Sequence, residues 1–260
     1  MLTFSQNDIE KWSDFSGDYN PLHYRNSDAG NPVQGMLIFI YIMEKIIDIE
    51  NAWGNYLFNL EVLFRHHVLT DNNYLFSYEI GSEKICISDA LGHQIISGRF
   101  HHKNEMDFFE QTRVRQISER IKFTLQEEQE GYLKFSHCFF NGKDSRLFLV
   151  ALTFTKLIHS RTFLDLYANH FSTLHEYLMF TDTLQVNQSI TLVTPPPARD
   201  IERLLLDEIV ISIYKCQSVN DGGNKNIRFF YYDCHFNNSL IFQGKTTVVS
   251  FDRHENGEDG

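Results

Sequence analysis

The sequence predicts an α+β protein made of two similar units, each a long central helix wrapped by a curved antiparallel sheet. Three observations support this prediction. The segment from Gly35 to Ile49 is a helix that is apolar on nearly every side, so other elements have to enclose it. Segments rich in β-branched and aromatic residues, which favour strands, follow that helix. A similar order of segments then returns in the second half of the chain, which indicates an internal duplication.

The first unit is predicted over residues 1–103. It begins with a short helix from Ser5 to Phe15, in which Ser5 caps the start and Asp8 completes a capping box. A turn from Gly17 to His23 and a polar loop then lead to the apolar helix. Three strand segments follow: Tyr56–Leu69, Asn73–Ser82 and Lys84–His102. A polar turn at residues 90–93 divides the last segment into a hairpin.

The second unit is predicted over residues 132–253 and keeps the fold in a degenerate form. Charged, helix-favouring residues 104–131 form the predicted linker, and residues 254–260 a disordered tail. The apolar segment Ser145–Phe163 is the expected counterpart of the first long helix. The clearest internal echo pairs DALGHQIISGRF, from Asp89, with HFNNSLIFQGKT, from His235. The expected strands are Tyr132–Phe140, Leu178–Val186, Ile190–Val193, Glu208–Ser218 and Ile227–Phe251.

Composition argues against several classes of function. The 260 residues carry a net charge of −11 with no basic block, which argues against binding to nucleic acid. No run of eighteen apolar residues and no signal-like amino terminus occurs, so we expect a soluble, cytoplasmic protein without a membrane segment. Four widely spaced cysteines form no C-x-x-C pair. In each of the doublets His66–His67 and His101–His102, the two side chains should point to opposite faces of a strand. No metal site is therefore expected.

The stretch FSGDYNPLH, from Phe15 to His23, contains the chemistry. Its Asn20–Pro21 pair disfavours helix and predicts a bend that brings Asp18 and His23 together. A carboxylate and an imidazole suit proton transfer to or from a substrate or a water molecule. The first backbone N–H groups of the long helix, beginning at Gly35, are placed to hold a developing oxyanion. Acids and bases in the second half show no such spacing, and structural roles are expected for them: Asp144, His159, His170 and His175.

The string SGDYNPLH followed by PVQGM resembles the hydratase motif of the MaoC-like family, the R-specific enoyl-CoA hydratases and dehydratases of hotdog fold. The family pattern reads S-G-D-x-N-P-L-H, then a loop, then P-[IV]-x-H-G-M. The resemblance implies a double hotdog in which Asp18 and His23 hold the catalytic water and the Gly35 N–H binds the thioester carbonyl. It also implies that Asn20, Gln34 and Met36 contribute to substrate binding.

The activity implied by the resemblance is reversible loss or addition of water between a (3R)-hydroxyacyl and a trans-2-enoyl thioester in fatty-acid or polyketide-type metabolism. The carrier is coenzyme A or an acyl carrier protein, and no metal or redox cofactor is required. The sequence departs from the family at Gln34, which replaces a histidine, at Arg25, which replaces an acidic residue, and in a shorter loop. These departures leave open an isomerase or cyclase and a non-catalytic acyl-binding partner.

Two expectations concern partners of the chain. An acidic carrier protein could dock on a local basic patch formed by Arg113, Arg115 and Arg120. One double hotdog is the minimum unit, and the architecture also allows two chains to pair as a homodimer.

Overall fold

A computed structural model of the chain describes residues 1–25, 27–50, 58–102, 116–138, 145–166, 169–193, 208–220 and 225–252. Its main sheet contains ten strands, and every pairing in it is antiparallel. The described part of the chain holds no helix that is both long and apolar enough to span a bilayer.

The first unit, residues 2–102, begins with helix α1 (Gln6–Ser16) and a short 3-10 helix (Pro21–Tyr24), followed by the long helix α2 (Gly35–Glu50). Ser5 caps α1 and shares a capping box with Asp8, as the sequence predicts. Four strands follow: β1 (Phe58–Phe64), β2 (Leu75–Glu79), β3 (Lys84–Ser88) and β4 (Gln94–His102). The predicted turn at residues 90–93 does separate β3 from β4.

The second unit, residues 117–252, starts with strand β5 (Ile117–Thr124), helix α3 (Gln129–Ser136) and the second long helix, α4 (Ser145–Ile158). An insert of short elements comes next: α5 (Arg161–Leu164), the small β6–β7 pair (Asp165–Leu166 and Asn169–His170) and α6 (Leu174–Phe180). The remaining strands complete the sheet: β8 (Thr181–Leu192), β9 (Glu208–Tyr214), β10 (Gln217–Asn220), β11 (Lys225–Phe236) and β12 (Ser239–Asp252).

The order of the strands makes the two units mirror each other. Along the sheet the order is β2-β3-β4-β1-β8-β12-β11-β9-β5, with β10 paired to β11 outside this path. Strands β1 and β8 meet at the centre through six residue pairs, from Phe58↔Leu192 to Leu63↔Asn187. At the outer ends, Leu2 bridges to Tyr74 beside β2, and β5 pairs with β9. Each unit therefore begins with an edge segment, continues through two helices and ends in the remaining strands.

Several sequence predictions need correction in the second unit. The predicted strand Tyr132–Phe140 is wrong over its described part, because residues 129–136 are helical and spacing of three places Tyr132 and Phe135 on one face, against Phe148. Strand β5 lies inside the predicted linker 104–131, so part of that segment belongs to the sheet. Residues 178–180 end helix α6, and β8 then continues across the predicted gap at 187–189.

Two other predicted segments are each divided in the structure, and a third lies outside the described residues. The predicted apolar segment Ser145–Phe163 divides into α4 and α5 at Ser160, which caps α5. The predicted segment Ile227–Phe251 is a hairpin of β11 and β12, turned at Asn237 and Asn238, which both have positive φ. The predicted disordered tail, 254–260, lies outside the described residues.

Helices α2 and α4 pack against each other in the core, and α2 also contacts β1 and β8. Most α2 side chains are buried, and Phe39, Ile40, Ile42, Met43 and Ile46 are completely inaccessible, whereas the last turn of the helix, with Ile49 50% exposed, reaches the surface. This is the enclosure that an all-round apolar helix requires. It also fixes the amino-terminal end of α2 next to β8, the strand that belongs to the second unit.

Candidate active site

The site loop, residues 17–34 between α1 and α2, folds back on itself as its sequence predicts. Gly17 ends α1 in the left-handed conformation, with φ of 73°, and donates its N–H to Ser13 O at 2.7 Å. Asn20 caps the 3-10 helix, because its Oδ1 accepts the Leu22 N–H at 3.1 Å. Asp18 therefore lies just before the bend, and His23 lies within the helical turn that follows it.

The bend brings the Asp18 and His23 side chains face to face. His23 Nδ1 lies 2.6 Å from Pro32 O, and since a carbonyl oxygen only accepts, Nδ1 must carry the hydrogen. In the neutral ring this leaves a lone pair on Nε2, which lies 4.0 Å from Asp18 Oδ2. A water molecule about 2.8 Å from each atom fits this separation. The His23 side chain is 9% exposed and the Asp18 side chain 19% exposed, so the pair is largely screened from bulk solvent.

Asp18 and His23 line a cavity of about 200 Å3, and Asn20, Gly35 and Met36 line it with them. The Gly35 N–H is the first of α2 and has no partner within the helix. It also donates to no other residue in the described part of the chain. The second unit contributes an apolar wall to the cavity, formed by Phe154, Ile158, Phe163, Leu174, Leu178 and Val248.

The second unit also holds the site loop in place. Asn20 Nδ2 donates to Thr183 O on β8 at 3.1 Å, and Arg25 binds both carboxylate oxygens of Asp182 at 3.2 Å. The ring of His159, just after α4, donates from Nε2 to Ser16 O at 2.9 Å. His159 therefore has a structural role here, whereas Asp144 lies outside the described residues.

Gln34 is the one predicted site residue that the structure does not bring to the cavity. Its side chain is buried behind the site loop, where Nε2 donates to Ser13 Oγ at 3.0 Å. Ser13 Oγ also accepts from Tyr24 and donates to Asp18 O at 2.8 Å. Gln34 thus supports the backbone that carries Asp18, and it does not line the cavity.

Sequence reasoning missed one side of the cavity, the mouth rim formed by Arg65, His66 and His67 after β1. The rim is tied to the site loop, because Val33 N–H donates to Val68 O at 2.8 Å and Pro32 bridges to Leu69. Desolvation in the cavity wall lowers the pKa of His67, and the nearby His23 and His66 lower it further. In the sequence, the rim is visible only as the adjacent histidines His66 and His67. The alternation of side chains along a strand argues against metal binding by this pair, but it does not indicate that the pair lines a cavity. Among the described residues, no cluster of three or more histidine, cysteine or acidic side chains could hold a metal ion.

The apolar wall from the second unit is braced by Arg228 on β11, a fully buried arginine. Its guanidinium donates to Phe163 O at 2.7 Å, to Asp165 O at 3.0 Å and to the Tyr177 hydroxyl at 2.6 Å. Its charge lies about 5 Å above the rings of Phe163 and Phe230, at 5.1 and 5.0 Å from their centroids. Arg228 thereby fixes the insert between α4 and β8 without lining the cavity itself.

The fold and the position of the site define a double hotdog protein, which confirms the fold class predicted from the sequence. A Mycobacterium tuberculosis protein that is essential for bacterial survival during infection, and has a double hotdog fold, superposes with a TM-score of 0.50 at 8% identity, over 96% of this chain and 93% of that one. A Chloroflexus aurantiacus protein assigned as a MaoC-domain dehydratase superposes with a TM-score of 0.50 at 9% identity, over 97% and 93% of the two chains.

These similarities concern the fold alone, because the sequence identities are below one tenth. No protein-family model matches the chain, and no curated protein matches it by sequence.

Proposed function

We propose that this chain catalyses the reversible conversion of a (3R)-3-hydroxyacyl thioester into a trans-2-enoyl thioester and water. The single observation that carries the proposal is the Asp18–His23 pair in the cavity. The hydrogen bond to Pro32 O directs the free Nε2 of His23 toward Asp18, 4.0 Å away, beside the unpartnered N–H of Gly35. A base, an acid and an oxyanion donor around one enclosed space are what addition of water to a conjugated thioester requires.

In the hydration direction, a water molecule held between Asp18 and His23 attacks C3 of the enoyl group. One of the two side chains accepts a proton from the water as its oxygen bonds to C3, and the pair returns one proton to C2. The carbonyl oxygen becomes enolate-like between these events, and the Gly35 N–H stabilises its charge. Dehydration reverses the same steps, so atoms and charge balance without an oxidant, a reductant or a metal ion.

The shape of the cavity supports a thioester with an apolar acyl group. The reacting carbon atoms lie near the polar end, where Asp18, His23 and Gly35 are found, and the acyl chain extends toward the apolar wall of the second unit. The mouth rim, with Arg65 and two histidines, faces the carrier. We place the activity in fatty-acid or polyketide-type metabolism, with coenzyme A or an acyl carrier protein as the carrier.

The proposal is tested by following hydration of crotonyl-CoA and of longer trans-2-enoyl thioesters, on both carriers, with chiral analysis of the 3-hydroxyacyl product. Asp18→Asn and His23→Ala should each lower turnover by about two to four orders of magnitude, the usual contribution of a positioned acid or base. The chain offers a matched control, since Asp89 and His93 form an exposed pair 2.9 Å apart on the β3–β4 turn. Asp89→Asn and His93→Ala should leave turnover unchanged.

Other results would point to other functions. Unchanged turnover in folded Asp18→Asn and His23→Ala variants would remove the assignment. Products with a shifted double bond or a new ring, detected by mass spectrometry, would indicate an isomerase or cyclase. Thermal stabilisation by acyl thioesters without any turnover would indicate a non-catalytic acyl-binding partner.

A further inference from the structure

Gln185, on strand β8 of the second unit, lines the catalytic cavity directly beside Gly35. A β-carbon built on Gly35 would lie only 2.7 Å from Gln185 Oε1, so the amide oxygen reaches the backbone at the start of α2. Glycine at position 35 leaves room for this approach. The second unit therefore places a polar atom next to the oxyanion donor of the first unit.

The orientation of the Gln185 amide is set by a buried network. Gln188 Nε2 lies near Ser189 O, which only accepts, so Gln188 directs its amide nitrogen there and toward the Tyr232 hydroxyl. Gln188 Oε1 then accepts from Thr246 Oγ1 at 2.5 Å and from Gln185 Nε2 at 2.8 Å. Because the nitrogen of Gln185 is taken, its Oε1 faces the cavity as a fixed acceptor. No described residue donates a hydrogen bond to this oxygen.

Gln185 also lies on the side of the cavity from which a carrier would enter. The β1–β8 ladder ends at Leu63↔Asn187, and Arg65 and Gln185, each two residues beyond that last pair, both line the cavity. Arg65 lines both the cavity and an outer groove of about 560 Å3. Gln185 Oε1 thus lies beside Gly35, in a cavity whose lining extends to the exposed Arg65.

A thioester held by Gly35 presents one suitable donor on that side. In coenzyme A and in the phosphopantetheine arm of a carrier protein, two methylene groups join the sulfur to an amide nitrogen that bears hydrogen. We propose that Gln185 Oε1 binds this amide N–H, so that the second unit recognises the pantetheine arm while the first unit performs the chemistry. The inference rests on the proposed function, because it takes an acyl thioester as the molecule in the cavity.

The test compares two ligands that differ only in the proposed donor. Butanoyl-N-acetylcysteamine thioester carries the amide, and the butanoyl S-(2-acetoxyethyl) thioester replaces its N–H with an ester oxygen. Both acyl groups are saturated, so calorimetry measures binding independently of turnover. The wild-type protein should bind the amide about three- to tenfold more tightly, the range expected for one hydrogen bond. Gln185→Met, which keeps the size of the side chain without the acceptor, should bind the two ligands equally.

The control is Gln217→Met, which changes an exposed glutamine on β10 outside both the cavity and the outer groove and should keep the wild-type ratio. An amide-to-ester ratio that is unchanged in Gln185→Met would overturn the inference while leaving the proposed function intact. If the protein does not turn over enoyl thioesters, but Gln185→Met loses the preference for the amide ligand, the proposed reaction is rejected and the recognition of the pantetheine amide is retained. Failure of the wild type to bind either ligand would reject both.

The two sources of the arm are separated with loaded carriers. Butanoyl-CoA and a butanoyl-loaded carrier protein should each bind less tightly to Gln185→Met than to the wild type, because both contain the same amide. Whichever of these two ligands, butanoyl-CoA or the loaded carrier protein, binds the wild-type protein more tightly identifies the carrier that supplies the pantetheine arm.

Discussion

The two units share one architecture but differ in where each carries its extra residues. In the first unit, eighteen residues, 17–34, separate α1 from α2 and form the site loop. The corresponding connection in the second unit, between α3 and α4, spans only residues 137–144. The second unit has its long connection after the central helix, where α5, β6, β7 and α6 lie between α4 and β8. In the first unit only residues 51–57 occupy that position.

This difference explains why the two similar units contribute different parts of the cavity. A loop before the central helix ends at the free N–H groups of the helix, where an acid, a base and an oxyanion donor can meet. An insert after the helix packs against α4, β5 and β8 and supplies apolar side chains such as Phe163 and Leu178 to the cavity. The second unit thus has a shorter connection before its central helix and contributes a wall to the cavity.

The largest effect is expected from replacing Arg228, which holds the insert of the second unit in place and so tests the structural role of that unit. Arg228→Met should lower the free energy of unfolding by about 3 kcal/mol, because three hydrogen bonds from a buried guanidinium are lost. Turnover per folded molecule should change little, since Arg228 does not line the cavity. Urea unfolding and active-site titration measure the two effects. Arg25→Met, which removes an exposed ion pair, should cost less than about 1 kcal/mol.

A smaller change at the junction of the units should affect both stability and chemistry. Gly17→Ala requires a left-handed alanine, which costs about 1–2 kcal/mol, and brings its β-carbon to 2.7 Å from His159 Nε2. The displaced loop should also lower turnover, because Asp18 is the next residue. Gly92 has φ of 84° and open space around it, so Gly92→Ala reports the conformational cost alone.

Combining Gly17→Ala with His159→Ala isolates the steric contribution. The double variant should be more stable than the sum of the two single changes predicts, because the crowding ring is gone. Strict additivity of the unfolding free energies would contradict the contact between the site loop and α4.

The smallest predicted effect concerns pH. His67 has a lowered pKa in the folded chain because of desolvation, His23 and His66, so below its ordinary value of about 6.5 the unfolded chain binds the proton first. Stability should therefore fall as the pH drops through this range, and His67→Gln should make the fall less steep. Urea midpoints between pH 7.5 and 5 measure the slope. An identical slope in His67→Gln, with His93→Gln as the exposed control, would contradict the prediction.

Much of the first unit could be predicted because its signals are local. The capping box at Ser5 and Asp8, the Asn20–Pro21 bend and the all-round apolar pattern of α2 each depend on neighbouring residues. The same local pattern places Asp18, His23 and Gly35 together. The second unit is harder to predict: the expected strand from Tyr132 overlaps helix α3, in which the spacing of three between Tyr132 and Phe135 is helical.

The residues that the sequence did not indicate are those whose role depends on long-range contacts. Gln34 is predicted to contribute to substrate binding, yet its side chain donates to Ser13 on α1 and does not line the cavity. In the sequence, Gln185 is an ordinary polar residue of a strand. Its place beside Gly35 depends on the packing of β8 against the start of α2. The predicted carrier patch stays a prediction, because Arg113 and Arg115 lie outside the described residues, while Arg120 lies on β5 at the edge of the sheet.

The central β1–β8 ladder has a consequence for how the protein behaves in dilute solution. Two separate hotdog chains would have to find each other before a cavity between them existed, and their activity would fall with concentration. Here the partner strands belong to one polypeptide and meet through six residue pairs, so the effective concentration of one half around the other is fixed by the chain itself. Specific activity should therefore be independent of enzyme concentration.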